Sequence, residues 1–244
     1  MIFAAGLGTR LGILGQDTPK ALLDVAGMTM LERAARVLRD AGADRIIVNV
    51  HHHADRIARF VQDVDLGVDV VLSFERERPL ETGGGLLHAR PLLRLDAPFF
   101  LHNVDVITDA DLRALYEAHV RSGALATLAV NQRESTRRLL FDDGGLFGRE
   151  DARKGERIEI RKPSGEVRAL AFAGIHVVAP ELLELITERG IFSILEPYLR
   201  LAREGHCIDP WSIDGALWRE IGNPERLEAA RQALVAERRR NAKQ

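Results

Sequence analysis

Short apolar runs alternate with amphipathic stretches through the first half of the chain, and this limits what it can fold into. Ile2 to Ala5 reads as a strand, Arg45 to Val50 as a second, Val68 to Leu72 as a third and Pro98 to Leu101 as a fourth. Between them, Met30 to Ala41 places Leu31, Ala34, Ala35, Leu38 and Ala41 on one helical face, and Gly42 follows as a stop. Asp55 to Val64 reads as a helix, Leu86 to Leu95 as a helix interrupted by Pro91, and Ala110 to Ser122 as another. Strand and helix in turn predict a parallel sheet with helices on both faces.

The second half is richer in strands. Leu125 to Val130, Ile158 to Arg161, Leu170 to Val178 and Ala216 to Ile221 read as strands. Leu139 to Phe141 and Gly145 to Gly148 flank Asp142-Asp143-Gly144 as a hairpin. Glu181 to Glu188 and Ile194 to Arg203 read as helices. Pro224 to Arg240 reads as a helix with proline in its first turn. The basic end, Arg238 to Lys243, reads as a solvated tail.

Composition excludes several classes. With 34 Lys and Arg against 36 Asp and Glu, the net charge of −2 lacks the basic excess of a nucleic-acid-binding protein. The single cysteine, Cys207, rules out an internal disulfide and a cysteine-built zinc site, and it suits a reducing compartment. No run approaches the roughly 18 to 20 apolar residues that span a bilayer. Met1 to Ala5 reads as a buried strand rather than a signal leader, so a cytoplasmic protein with no membrane partner is expected.

The first chemical signal follows the first strand at once, in Gly6-Leu7-Gly8-Thr9-Arg10-Leu11-Gly12. Glycines let backbone N–H groups turn towards a ligand, and such a nest suits phosphate oxygens. No Gly-Lys-Ser/Thr follows, so this is not a Walker loop. Nor is it a dinucleotide fingerprint: the third glycine comes one residue late, and Val50-His51-His52 stands where an acid would hold a ribose. Arg10 can fork onto a triphosphate tail, and Lys20, after Pro19, adds a point charge. The competing reading is a tight turn with two surface cations. The second signal is His102-Asn103-Val104-Asp105, where an apolar strand ends in a polar turn. Strand carboxyl ends are where α/β sheets bind ligands. Asp105 suits magnesium, which takes one or two carboxylates plus substrate phosphates. The competing role, capping the next helix, is assigned to Asp109. Third, Pro79-Leu80-Glu81-Thr82-Gly83-Gly84-Gly85 reads as a loop before a helix, open to close approach by a flat ring.

Gly6-Leu7-Gly8-Thr9-Arg10-Leu11 with Pro19-Lys20-Ala21-Leu22 resembles the N-terminal signature of the sugar-1-phosphate nucleotidyltransferases. The resemblance implies a magnesium-dependent enzyme that joins a nucleoside triphosphate to a sugar 1-phosphate and releases pyrophosphate. It implies that Ala5, Gly6, Gly8, Thr9 and Asn103 surround the nucleotide. Arg10 then holds the β/γ phosphates, and Lys20 contacts phosphate near the reacting centre. Asp105 is implied as a metal ligand, although Val104 replaces the family's usual glycine before it. Trp218-Arg219-Glu220-Ile221-Gly222 matches a W-x-D-x-G segment and makes Glu220 the second metal ligand, with one extra methylene, on the order of 1.5 Å. The segment around Glu81, Gly84 and Gly85 is implied to read the base; its E-T-G-G-G form resembles that of N-acetylmuramate 1-phosphate uridylyltransferases and points to UTP. Phe172-Ala173-Gly174-Ile175 resembles a strand bordering the sugar, where Gly174 admits close approach. Arg161-Lys162-Pro163 is similar to a family E-K-P, which makes Lys162 the grip on the sugar phosphate, with Lys154 as its rival.

The remaining features read as structural. His51-His52-His53 reads as a polar strand-to-helix junction, and His102, Trp211, Trp218 and Cys207 as packing or inert groups. The expected fold is one α/β domain over 1–244, a Rossmann-like three-layer sandwich with a mixed, mostly parallel sheet of the nucleotide-diphospho-sugar transferase type. Residues 1–108 would handle nucleotide, 109–230 sugar, and 231–244 close the chain as helix end and tail. A monomer or small homo-oligomer is expected, with no second acetyltransferase activity. A mannose- or heptose-type guanylyltransferase, or a catalytically weak nucleotide sensor, stands as the alternative.

Overall fold

A computed structural model of the chain describes residues 1–241, apart from the side chains of Ile13, Gln16 and 237–241. The elements in order are β1 (Ile2–Phe3), α1 (Ile13–Asp17), α2 (Met30–Asp40), β2 (Arg45–Val50), α3 (Ala54–Asp63), β3 (Asp69–Phe74), α4 (Glu81–Ala89), β4 (Phe99–Asn103), β5 (Val106–Thr108) and α5 (Leu112–Ser122). There follow β6 (Ala126–Asn131), β7 (Arg137–Asp142), β8 (Gly145–Asp151), β9 (Glu156–Glu159), β10 (Arg168–Val178), α6 (Leu182–Leu185), α7 (Leu195–Arg203), β11 (Ile208–Ser212), β12 (Trp218–Glu220) and α8 (Pro224–Asn241). The expected tail of Arg238 to Lys243 lies outside the described side chains.

The chain forms two compact units. One comprises Met1–Pro79, His102–Ala110 and the chain from Leu217 on; the other comprises Leu80–Leu101 and Asp111–Ala216. In the first unit β2 pairs in parallel with β3 and β1, and β1 in parallel with the end of β4. The order β3-β2-β1-β4 is that of half a classical dinucleotide fold. Ile2, Ile46, Val48 and Val50 are buried along these strands, which makes them apolar runs rather than alternating ones. Helix α2 starts where the Thr29 hydroxyl accepts from Glu32 N at 3.2 Å, and it buries Met30, Leu31, Ala34, Ala35 and Leu38. Gly42, at φ 106°, lets the chain turn after it. A separate antiparallel pair, β5 with β12, completes the unit.

In the second unit β10 pairs antiparallel with β6 and β7, and β7, β8 and β9 form a meander. The hairpin turns at Asp143-Gly144, as its sequence indicates. β11 runs parallel to β6. The fold is therefore α/β with a mixed sheet whose core strands are parallel, as expected. No helix of the described residues is long and apolar enough to cross a membrane.

Four local expectations are corrected. The segment Glu81 to Gly85 is not a loop but the first turns of α4, which ends at Ala89, before Pro91, and passes into a 3-10 turn, Arg90–Leu92. Asp111, not Asp109, caps α5, accepting from Ala114 N at 2.9 Å; Asp109 Oδ1 instead accepts from Leu217 N at 2.7 Å. The helix expected over Glu181 to Glu188 shrinks to Leu182–Leu185. β5 and β11 are strands the sequence did not announce.

The glycines of α4 serve packing. A Cβ on Gly83 would lie 2.3 Å from Phe192 Cε2, and one on Gly84 would lie 2.4 Å from the Gly190 carbonyl oxygen. Alanine in a helix normally gains about 1 kcal/mol over glycine. At Gly84 the neighbour is backbone, which cannot move cheaply. Gly84→Ala is therefore expected to destabilise the protein by about 1–3 kcal/mol, read as a lower urea midpoint at unchanged slope.

Candidate active site

Chain direction after β1 is set by a buried network. Ala4 N donates to Asn49 Oδ1 at 2.7 Å, and Asn49 Nδ2 donates to Glu75 Oε1 at 2.6 Å. Asn49 and Glu75 are both buried, so the exit from β1 is held by side chains where the strand ladder ends. Ala5 is buried; Gly6, Leu7, Thr9 and Arg10 are exposed. Gly8 adopts φ 64°, and Thr9–Leu11 forms a 3-10 turn closed by Leu11 N on Gly8 O at 2.9 Å. Gly15 packs on this turn so tightly that a Cβ there would lie 2.4 Å from Gly8 O. Among the described residues, the amides of Gly6, Leu7 and Gly8 make no hydrogen bond. Unbonded amides on an exposed glycine turn are the donors that a phosphate nest uses.

Two groups of ion pairs lie in the first unit, one of them reaching the loop through Arg10. Lys20 Nζ donates to Asp105 Oδ2 at 2.8 Å, with the two side chains only 15% and 16% exposed. Pairing of β5 with β12 sets Glu220 opposite Val106, and Ile221 N donates to Asp105 O at 3.0 Å. Strand register therefore brings Glu220 next to the residue that follows Asp105. Glu220 Oε2 pairs with Arg226, and its Oε1 lies 3.7 Å from Arg10 Nη2. Gly222 makes room for this carboxylate: a Cβ there would lie 2.4 Å from Glu220 Oε1. The described residues contain no cluster of three or more His, Cys, Asp or Glu that could hold a metal. Asp105 and Glu220 instead offer two hard carboxylates among cations. That donor set fits a magnesium ion completed by water and phosphate, and not a dedicated all-protein cage.

Asn103 ends β4 beside Phe3 of β1, and its carbonyl accepts from His102 Nδ1 at 2.8 Å. His102 is buried, and burial lowers its pKa to about 4, so the ring is neutral and structural.

In the second unit Glu81 is exposed and holds φ 63°, a left-handed conformation uncommon outside glycine. The Thr82 hydroxyl accepts from Ile194 N at 2.9 Å, and Gly84 and Gly85 are buried. Gly174 sits at φ 78°, where the β10–β6 register shifts between Phe172 and His176; the glycine accommodates a bulge. Lys162 and Lys154 are both exposed, on the loop after β9 and the turn before it.

Other residues are placed by structure alone. His51 Nδ1 bonds Glu75 O at 2.6 Å, and His53 leads α3 at φ 53°. The Cys207 thiol donates to Asp209 Oδ1 at 2.9 Å and is pushed up to about 12 by burial and that acceptor. The sequence reading missed Asn49 and Glu75, polar residues at the carboxyl ends of apolar strands, which is a usable signal. It also missed Asp142, which accepts from both Arg161 nitrogens at 2.5 and 2.6 Å. Asp142 looks like an ordinary hairpin turn residue in sequence.

Comparison with known proteins gives this geometry a setting. The family described as the MobA-like NTP transferase domain matches residues 1–203. The N-acetylmuramate alpha-1-phosphate uridylyltransferase of Caulobacter vibrioides is 33% identical, covering 96% of this chain and 96% of that protein. The mannose-1-phosphate guanylyltransferase catalytic subunit beta of Drosophila melanogaster is 30% identical over 92% of this chain, which spans 59% of that protein's length. HddC from Yersinia pseudotuberculosis shares the fold, with a TM-score of 0.74 at 22% identity over 96% of this chain and 97% of that one.

The buried His102 makes stability pH-dependent. Its folded pKa lies below the unfolded value of about 6.5, so the unfolded chain takes up the proton first. The stability this neutral ring contributes is present above pH 6.5 or so and is lost as pH falls towards about 4. His119, also lowered by burial, acts in the same direction. Melting temperature is expected to fall through that window, and His102→Gln to flatten the slope.

Proposed function

The chain belongs to the MobA-like NTP transferase domain family and is a sugar-1-phosphate nucleotidyltransferase, and from that premise we propose that it transfers a uridylyl group from UTP to N-acetylmuramate 1-phosphate or a closely similar sugar phosphate. The observation that carries the reaction is the Lys20–Asp105 pair with Glu220 beside it, at the carboxyl ends of the strands and next to the glycine loop. The choice of uridylyl transfer is supported by 33% identity across nearly the full length of both chains to the Caulobacter enzyme.

The residues divide the work as follows. The amides of Gly6 to Gly8, with Thr9, cradle the triphosphate, with Ala5 and Asn103 lining its approach. Arg10, whose side chain is 70% exposed, turns onto the β/γ phosphates. Lys20 neutralises charge at the reacting phosphate. Recognition of the base is assigned to Glu81, Gly84 and Gly85 of α4. Lys162 grips the sugar phosphate, and the Gly174 bulge borders the sugar. Asp105 and Glu220 would hold Mg2+, which supplies Lewis-acid polarisation and charge neutralisation at the phosphates. A sugar-phosphate oxygen attacks the α-phosphorus in line; the new P–O bond forms as the bond to the β-bridging oxygen breaks and pyrophosphate departs. The nucleophile is ionised at neutral pH, so positioning and electrostatics suffice without a general base. In this reading residues 1–108 serve the nucleotide and 109–230 the sugar. A lone thiol bonded to Asp209 suits a cytoplasmic setting.

A second reading, guanylyl transfer to mannose 1-phosphate or a heptose relative, is favoured by the Drosophila similarity. A third, a weakly active nucleotide sensor, draws on Glu220 being already engaged by Arg226. Pyrophosphate release across a grid of nucleoside triphosphates and sugar 1-phosphates with magnesium separates them. UTP with N-acetylmuramate 1-phosphate is expected to be the fastest pair. GTP with a mannose or heptose 1-phosphate would support the second reading, and silence with retained nucleotide binding the third. Asp105→Ala is expected to lower kcat about 100- to 1,000-fold. Arg10→Ala is expected to raise the triphosphate KM by about tenfold to 100-fold, the scale of one charge-assisted hydrogen bond.

A further inference from the structure

We propose that Asp142 is a positioning residue for the sugar-phosphate grip, fixing Lys162 by clamping the backbone on both sides of it. This rests on the reading of Lys162 given above and deepens it.

The Asp142 side chain is fully buried at the turn between β7 and β8. Its carboxylate accepts from Arg161 Nη1 at 2.5 Å and Nη2 at 2.6 Å, a forked pair. It also accepts from Ser164 N at 2.6 Å and from Gly144 N at 2.9 Å. Arg161 immediately precedes Lys162, and Ser164 follows Pro163, so one carboxylate holds the chain on either flank of the Lys162-Pro163 pair. Two further contacts close the ring: Asp143 N donates to Ser164 O at 3.1 Å, and Arg161 Nη1 donates to Lys162 O at 3.2 Å. The Arg161 guanidinium also lies 5.6 Å from the Phe147 ring centroid. Proline fixes φ next to the lysine. Gly165, at φ 78°, lies so close to the turn that a Cβ on it would stand 1.9 Å from Asp143 Oδ2.

The result is an exposed ammonium on a rigid base. The Arg161 guanidinium holds the Asp142 carboxyl well below the usual carboxylate range, so the clamp stays charged at all working pH values. Lys154 is held from one side only: Lys154 N donates to Asp151 O at 3.1 Å and Arg153 N to Asp151 Oδ1 at 3.1 Å, and the Asp151 carboxylate, itself paired with Arg137, makes no contact with the chain after Lys154 among the described residues. Preorganisation lowers the ordering cost when a phosphate binds. The clamp thus selects Lys162 over Lys154.

The test is a double-mutant cycle with the pair of substrates found productive. Lys162→Ala is expected to raise the KM of the sugar phosphate about tenfold or more while leaving that of the triphosphate unchanged. Asp142→Asn is expected to raise the same KM several-fold, again without moving the triphosphate KM, and to add nothing in the Lys162→Ala background. Arg161→Lys, which keeps the charge but loses the fork, should show the same split if the Asp142 variant folds poorly. Additive effects of Asp142→Asn and Lys162→Ala, or an Asp142→Asn or Arg161→Lys defect spread equally over both substrates, would overturn the clamp while leaving Lys162 in the site. A silent Lys162→Ala would overturn the lysine's role and the clamp with it.

Discussion

Antiparallel pairing of β5 with β12 is the constraint on which the charged site depends. It carries Glu220 from near the end of the chain to the position opposite Val106, beside Asp105. A slip of one residue would turn Glu220 to the other face, because side chains alternate along a strand. The register is held from several directions: Thr108 Oγ1 donates to Leu217 O at 2.8 Å, Asp109 Oδ1 receives Leu217 N at 2.7 Å, and Ile221 N reaches Asp105 O at 3.0 Å. A two-stranded ribbon is marginal by itself. Here side-chain and main-chain bonds beyond the ladder fasten its two strands together at both ends.

The elements most legible in the sequence were those whose burial alone specifies them. β1, β2 and β3, α2, and the β7–β8 hairpin follow directly from apolar spacing and turn residues. Misreadings arose where long-range packing overrides local preference. Three successive glycines have poor helix propensity, so Gly83 to Gly85 read as a loop; contact with Phe192 and Gly190 makes them helix instead. β11 contains Pro210, which argues against a central strand but not against a strand paired, as here, to β6 alone. Asp109 and Asp111 are equivalent capping candidates in sequence, and only the claim of Leu217 on Asp109 separates them.

Legibility of the candidate site followed the same division. The glycine loop, Arg10, Lys20 and Asp105 lie in contiguous motifs, and the structure joins Lys20 to Asp105 across 85 residues of chain. The supporting residues were less visible. Asn49 with Glu75, and Asp142 with Arg161, are pairs whose partners stand 26 and 19 residues apart, and nothing local marks one as belonging to the other. Residues assigned to a ligand carry a recognisable type; residues that hold them carry only a partner.

Before any phosphate arrives, the cations and carboxylates of the first unit already serve as one another's counter-ions: Lys20 with Asp105, and Arg226 closely and Arg10 loosely with Glu220. In the proposed reaction, a metal ion alone must take a carboxylate from its lysine, and a triphosphate alone must take an arginine from its glutamate. Arriving together, each accepts what the other sets free. Metal and nucleotide would then be linked ligands, each tightening the other by the same factor.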